Sequence, residues 1–237
     1  DGVDRTTYRL SVSLSDGATN VYAMFGSLTS PLSMPAAYQS YGAFGANLGG
    51  TSPTIWDLPG GEGSQVDSWL TIGISDGDTD SELSSIGLDF DVWDEVNPLE
   101  STDAVVFWLH PADGPAVRAE VAQLTVPSGS AGTAMMGLEG QSSAGVGLPW
   151  HIGNVPFEYG LDTMSPTVTQ GWVVSDSGEG QTACDPASGD LCLDWGAGAV
   201  LPQVTSVESS PQGWATYRFG VILSADATNV YTLFGTA

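Results

Sequence analysis

The sequence predicts an all-β protein, an antiparallel β-sandwich of the jelly-roll kind with one hairpin repeated at both ends. Three observations point there. Gly (31) and Pro (14) punctuate a chain whose other common residues, Thr, Val, Ser and aromatics, favour strands and turns. No stretch of useful length has the 3.6-residue periodicity of an amphipathic helix, so parallel βαβ units are excluded. Finally, Thr7-Tyr-Arg-Leu-Ser-Val-Ser-Leu-Ser-Asp-Gly-Ala-Thr-Asn-Val-Tyr-Ala-Met-Phe-Gly26 returns, gapless and 209 residues later, as Thr216-Tyr-Arg-Phe-Gly-Val-Ile-Leu-Ser-Ala-Asp-Ala-Thr-Asn-Val-Tyr-Thr-Leu-Phe-Gly235. Thirteen of the 20 paired positions are identical.

Tyr8–Leu14 alternates as a strand, Asp16–Asn20 carries turn residues, and Val21–Phe25 returns, which reads as a hairpin. From Ser30 to Gly63 there is little periodicity, predicting a long ordered loop with a turn near Pro35–Tyr41. Ser68–Ser75 reads as a strand, Asp76–Glu82 as an acidic turn, and Ile86–Trp93 as a strand with Asp89 and Asp91 on its outer face. The apolar run Ala104–Leu109 predicts a central strand buried on both faces. Arg118–Val126 alternates and stops at Pro127, and Thr133–Gly140 reads as its antiparallel partner. Shorter strands are expected at 155–159, 171–174, 191–195 and 203–207. Ser209-Ser-Pro-Gln-Gly213 is the one convincing linker, dividing a sandwich module at 1–208 from a linker and second hairpin at 209–237.

Charge narrows the function classes. There are 28 acidic residues against four arginines and no lysine, a net charge of −24. Nucleic-acid backbones and anionic membrane surfaces need basic patches and are excluded as partners. No apolar run is long enough for a membrane span. The acids read mainly as a solvated surface. Cys184 and Cys192 close a short Pro/Gly-containing loop, and with no further sulfur ligand they are expected to form a disulfide, with free buried thiols as the alternative; a disulfide implies an oxidising, extracellular or cell-surface setting.

Catalytic signals are weak. Among 28 acids some pair falls at glycosidase spacing by chance, and no Gly-x-Ser-x-Gly elbow accompanies His110 or His151, which read as structural. The chain is expected not to be an enzyme and to need no cofactor, with one exception to weigh. Asp76, Asp78, Asp80 and Glu82 alternate in a tight turn, as calcium ligands do, although the twelfth position of an EF-hand loop would be Gly87. A solvated hairpin tip is the plainer reading. Trp69, Trp93 and Trp108 lie in strand patterns and are expected in the core; Trp56, Trp150, Trp172, Trp195 and Trp214 are looser and leave room for a glycan-binding surface.

Thr7-Tyr-Arg-Leu10 with Val21-Tyr-Ala-Met-Phe-Gly26, then Asp67-Ser-Trp-Leu-Thr-Ile-Gly73, Ile86-Gly-Leu-Asp-Phe90 and Ala122-Gln-Leu-Thr-Val126, resemble in order a β-rich repeat module of uncharacterised marine microalgal and bacterial proteins. The resemblance spans most of residues 6–160 and brings no active site with it. A looser similarity, to the self-assembling shell proteins of diatom pyrenoids, implies a plastid shell as an alternative. The cysteine loop and the single full copy depart from that pattern.

The reading that unites these features is a structural subunit that polymerises with copies of itself into an extracellular filament or sheet. Its proposed junction is β-augmentation, the C-terminal hairpin completing or extending a neighbour's sheet. Tyr8, Val12, Val21, Tyr22 and Phe25, with Tyr217, Val221, Val230, Tyr231 and Phe234, are expected to alternate between core and junction. The repeat is also compatible with pairing inside one molecule or with the start of a second module. A secreted glycan- or calcium-binding adhesin-like module is the alternative of a different class.

Overall fold

The computed structural model describes residues 3–14, 17–40, 44–143, 149–160, 200–209 and 215–216. Twelve strands are found among them: β1 (Arg5–Leu14), β2 (Ala23–Gly26), β3 (Leu32–Met34), β4 (Trp69–Leu70), β5 (Leu83–Ile86), β6 (Leu99–Ser101), β7 (Ala104–Trp108), β8 (Arg118–Pro127), β9 (Gly132–Gln141), β10 (Pro149–Tyr159), β11 (Val200–Ser209) and β12 (Ala215–Thr216). They form two antiparallel sheets. One has the order β12-β11-β1-β8-β4; the other runs β5-β7-β2-β9-β3-β6, with β10 along the remaining side of β9. The all-β architecture expected from composition is present.

The sheets share one core. Period-two alternation puts Tyr8, Leu10 and Val12 of β1 and Ala122 and Leu124 of β8 on the inner face of the first sheet. Met24, Val106, Met136, Leu138, Ile152 and Phe157 answer from the second. Burying side chains of this size contributes about 1.5–3 kcal/mol each before chain entropy is counted. The indole Nε1 of half-buried Trp108 donates to Ile72 O at 2.7 Å.

The outer face of the five-stranded sheet is roofed by the loop before β4. Tyr38 N donates to Thr125 O (2.7 Å), and Gln123 Nε2 donates to Asp67 O (2.6 Å). Trp69 is thereby buried on that face, with the Arg9 guanidinium 4.7 Å above its ring. Asp67 staples the roof: Oδ1 accepts from Ser40 N and Ser68 N, and Oδ2 from Ala46 N.

Four expectations are corrected. Residues 7–26 are not a hairpin: β1 pairs with β8 and β11, β2 pairs with β7 and β9, and the two arms lie in opposite sheets. The segment is a β-arch, whose arms face each other across the core and do not share a ladder. Arg118–Pro127 and Gly132–Gln141 likewise belong to different sheets, although each is a strand. Strand structure within Ser68–Ser75 is confined to Trp69–Leu70, because the Thr71 hydroxyl accepts from Ile74 N and Gly73 has φ +83°. Ile86–Trp93 is the end of β5 followed by a 3-10 turn at Phe90–Val92: Gly87 has φ +75° and Asp89 Oδ1 accepts from Asp91 N. Ala104–Trp108 is central as expected, between β2 and β5, but Val105 and Phe107 on its outer face remain half-exposed.

Candidate assembly site

The repeated segment is deeply built into the module. Thr7 Oγ1 meets Thr125 Oγ1 at 2.8 Å in a buried cross-strand pair. The Tyr8 ring packs 5.4 Å from that of Tyr159, and burial pushes both phenols above their ordinary pKa. Arg9 Nη1 donates to Glu120 Oε2 at 2.6 Å. Val12 and Val21 are fully buried.

The crossing between sheets is fixed by polar contacts. Ala18 forms an isolated antiparallel bridge with Ser142, and Thr19 N and Oγ1 both donate to Gln141 O. Buried Asn20 pins the crossing through three groups: Nδ2 donates to Pro111 O (2.8 Å), Oδ1 accepts from Gln141 N (2.9 Å), and its carbonyl accepts from Trp150 Nε1 (2.9 Å). Leaving such groups unpaired in the interior would cost about 1–3 kcal/mol each.

Tyr22 and Phe25 lie on the outer face of the seven-stranded sheet. Tyr22 Oη donates to Glu139 Oε1, whose other oxygen lies 3.5 Å from His151 Nδ1. His151 and the Tyr22 hydroxyl hold the Glu139 carboxyl below the usual carboxylate range, the His151 contact being the larger cause and burial opposing it. Burial and the same hydrogen bond push the Tyr22 phenol up. Phe25 stacks on the His151 ring at 4.3 Å. A Cβ on Gly26 would stand 2.3 Å from Ser101 O, so the closing glycine is required by close backbone approach.

Of the residues expected to alternate between core and junction, Tyr8, Val12 and Val21 are core, and Tyr22 and Phe25 are on the outer sheet face. Tyr217, Val221, Val230, Tyr231, Phe234, Cys184 and Cys192 lie outside the described residues. Asp76, Asp78, Asp80 and Glu82 do not converge: among the described residues no three His, Cys, Asp or Glu side chains gather to hold a metal ion. Asp78 spends both carboxylate oxygens on the N–H groups of Glu82 and Leu83. His110 sits at the N-cap position of a 3-10 turn, Pro111–Asp113. Trp93 is in the core as expected, Trp69 is buried instead under the roof on the outer face, and Trp108 is half-buried against the core; Trp150, read as looser, is buried too, over Gly140.

Sequence reasoning passed over Asn20, Glu120, Glu139 and Gly137. Asn20 had a signal, since Asn229 repeats it; the other three lie outside the repeat and are recognisable only once the strands are paired. No family model, curated protein or solved structure matches this chain.

Proposed function

We propose that the chain is a structural, self-assembling subunit of an extracellular filament or sheet, a jelly-roll-type sandwich whose copies join by β-augmentation through the terminal repeats. One observation carries this reading. The positions that the second repeat keeps are those through which the first repeat holds the rest of its module: Thr7, Tyr8, Arg9, Val12, Ala18, Thr19, Asn20, Val21, Tyr22, Phe25 and Gly26 are all retained. A strand free of such partners has no reason to keep a buried-type Asn, a glycine demanded by close approach and an Arg matched to Glu120.

The surface is acidic, so lateral clumping is opposed by like charge, and thin, separate polymers that respond to salt are expected. The pair Cys184 and Cys192 supports an oxidising, extracellular setting if bridged. Deleting residues 211–237 and comparing both proteins by size exclusion and negative-stain microscopy tests the proposal. Polymers in the intact chain and monomers in the truncation support it; identical monomers, together with measurable glycan binding, would replace it with the adhesin-like reading.

A further inference from the structure

We infer that residues 216–235 of one molecule enter the slot that residues 7–26 occupy in another copy of the chain, by exchange of arches and not by addition at a sheet edge. The inference rests on the assembly reading above, takes the form of β-augmentation that completes a sheet and not the form that extends one, and names its receptor.

The slot is specific. One arm must lie between β8 and β11, the other between β7 and β9, and the crossing must satisfy Pro111, Gln141 and Trp150. An edge strand would use one sheet only and would leave the counterparts of Asn20, Tyr22 and Phe25 without Gln141, Glu139 and Gly137. Two of the edges are also poorly suited. Beyond β4, Leu70 already exchanges hydrogen bonds with Asn47 and Gly49, while β10 carries Pro149, Pro156 and a register shift between Ile152 and Val155.

Within one chain, the slot is filled by the first arch. The second copy starts elsewhere: Ala215 and Thr216 pair with Ser209 and Glu208, on the side of β11 away from β1. Thr216 faces Glu208, whereas its counterpart Thr7 faces Val207. The two registers differ by one residue, so this start does not reproduce the pairing of the first arch. The second set of matched residues can therefore enter a matching slot by displacing the first arch of another molecule.

Of the seven substitutions between copies, four are conservative for exchange, whereas Gly220 for Ser11 forfeits the buried hydroxyl that accepts from Arg118 Nη2. Phe219 for Leu10 and Leu233 for Met24 stay apolar at core positions, and Ile222 and Thr232 replace Ser13 and Ala23 with β-branched residues suited to strands. Most contacts are the same in both arrangements, so occupancy is decided by few positions and by concentration, as in domain swapping. The contact joins residues 216–235 of one copy to the slot of the next, two different surfaces, which makes it head-to-tail and free not to close.

A charge exchange in the full chain tests this. Arg218→Glu would face Glu120 of the receiving copy and should raise the concentration needed for polymers about ten-fold, leaving the melting curve of the module unchanged. Adding Arg9→Glu with Glu120→Arg should restore polymers, because both arches again oppose the charge at position 120. The pair Arg9→Glu with Glu120→Arg alone should lose them. Wild-type chain that stays monomeric at high concentration overturns the assembly reading itself; polymers indifferent to these charges overturn the slot alone. Should the charge variants misfold, Ala227→Cys with Ser142→Cys, in a Cys184→Ser, Cys192→Ser background, supplies a second readout. An intermolecular disulfide ladder is expected on oxidation, since Ala18 and Ser142 are bridge partners. Polymers without a ladder, or a disulfide confined to monomers, overturn the inference.

Discussion

The ring of Phe25 lies directly across Gly137, its partner on the facing strand β9. A Cβ built on Gly137 would fall 2.2 Å from Phe25 Cζ and 2.3 Å from Cε2, so the glycine is the floor on which the ring rests. His151 stacks on the same ring at 4.3 Å. Gly137→Ala should therefore displace Phe25 and cost about 1–3 kcal/mol, despite alanine's better strand propensity. Chemical denaturation measures the loss. An alanine variant as stable as wild type would mean that the ring has an equally good place to go.

Local character was legible where alternation was clean. Arg5–Leu14 and Arg118–Pro127 emerged as strands because Tyr8, Leu10 and Val12, or Ala122, Leu124 and Val126, repeat with apolar period two. Pairing was not legible. Strands in the two layers of a sandwich bury the same kind of face against the same core, so β8 and β9 look like partners although they face each other across it. The arch was misread for the same reason: Val21–Phe25 could return beside β1 or opposite it, and only Asn20, Glu139 and Trp150, far apart in sequence, decide between these. Ile86–Trp93 failed differently. Gly87 and the Asp89 cap mimic an alternating strand letter by letter, while the backbone turns.

The acidic turn gives a prediction about metal. Both oxygens of Asp78 accept backbone N–H groups, at 2.8 Å from Glu82 and 2.9 Å from Leu83, which closes the turn into β5 without an ion. Asp78→Ala should lower stability by about 1–3 kcal/mol, by the same amount in calcium and in chelator. Melting curves of both proteins under the two conditions check this. A cost that appears only with calcium would reinstate a metal site.

Asp67 predicts a pH dependence. Burial pushes its carboxyl from 3.8 up to about 6, against the opposing pull of the N–H groups of Ser40, Ala46 and Ser68. The folded state thus holds the proton more tightly than the unfolded state. The stability this provides is full below the unfolded pKa of 3.8 and is lost as pH rises through about 6. Asp67→Asn removes the titration and weakens the roof, because an amide cannot accept from all three N–H groups on both sides. The stability gap between wild type and Asp67→Asn should accordingly be widest near about pH 4 and shrink toward about pH 7, as read from denaturation at each pH. A gap that widens with pH would show that the carboxylate is favoured in the folded protein.

If both arches fit one slot, each should be dispensable and the pair should not. Removing residues 211–237 leaves the slot filled by residues 7–26, so a cooperative melt is expected. Removing residues 1–26 vacates it, and residues 216–235 are then the only matching filler. They can arrive from another molecule or from the same chain, since Val207 faces Thr7 and the connection onward to Thr216 is short enough for a turn. That truncated chain should remain folded, with the same β-rich circular dichroism, in the manner of a circular permutant. Removing both segments deprives β8 and β11 of β1, and β7 and β9 of β2, and strips Leu10, Val12, Val21 and Met24 from the core. With a central strand missing from each sheet and no copy left to replace it, the doubly truncated chain should be unfolded at every concentration. A folded double truncation, or an unfolded chain after loss of residues 1–26 alone, would show that the second copy is not equivalent to the first.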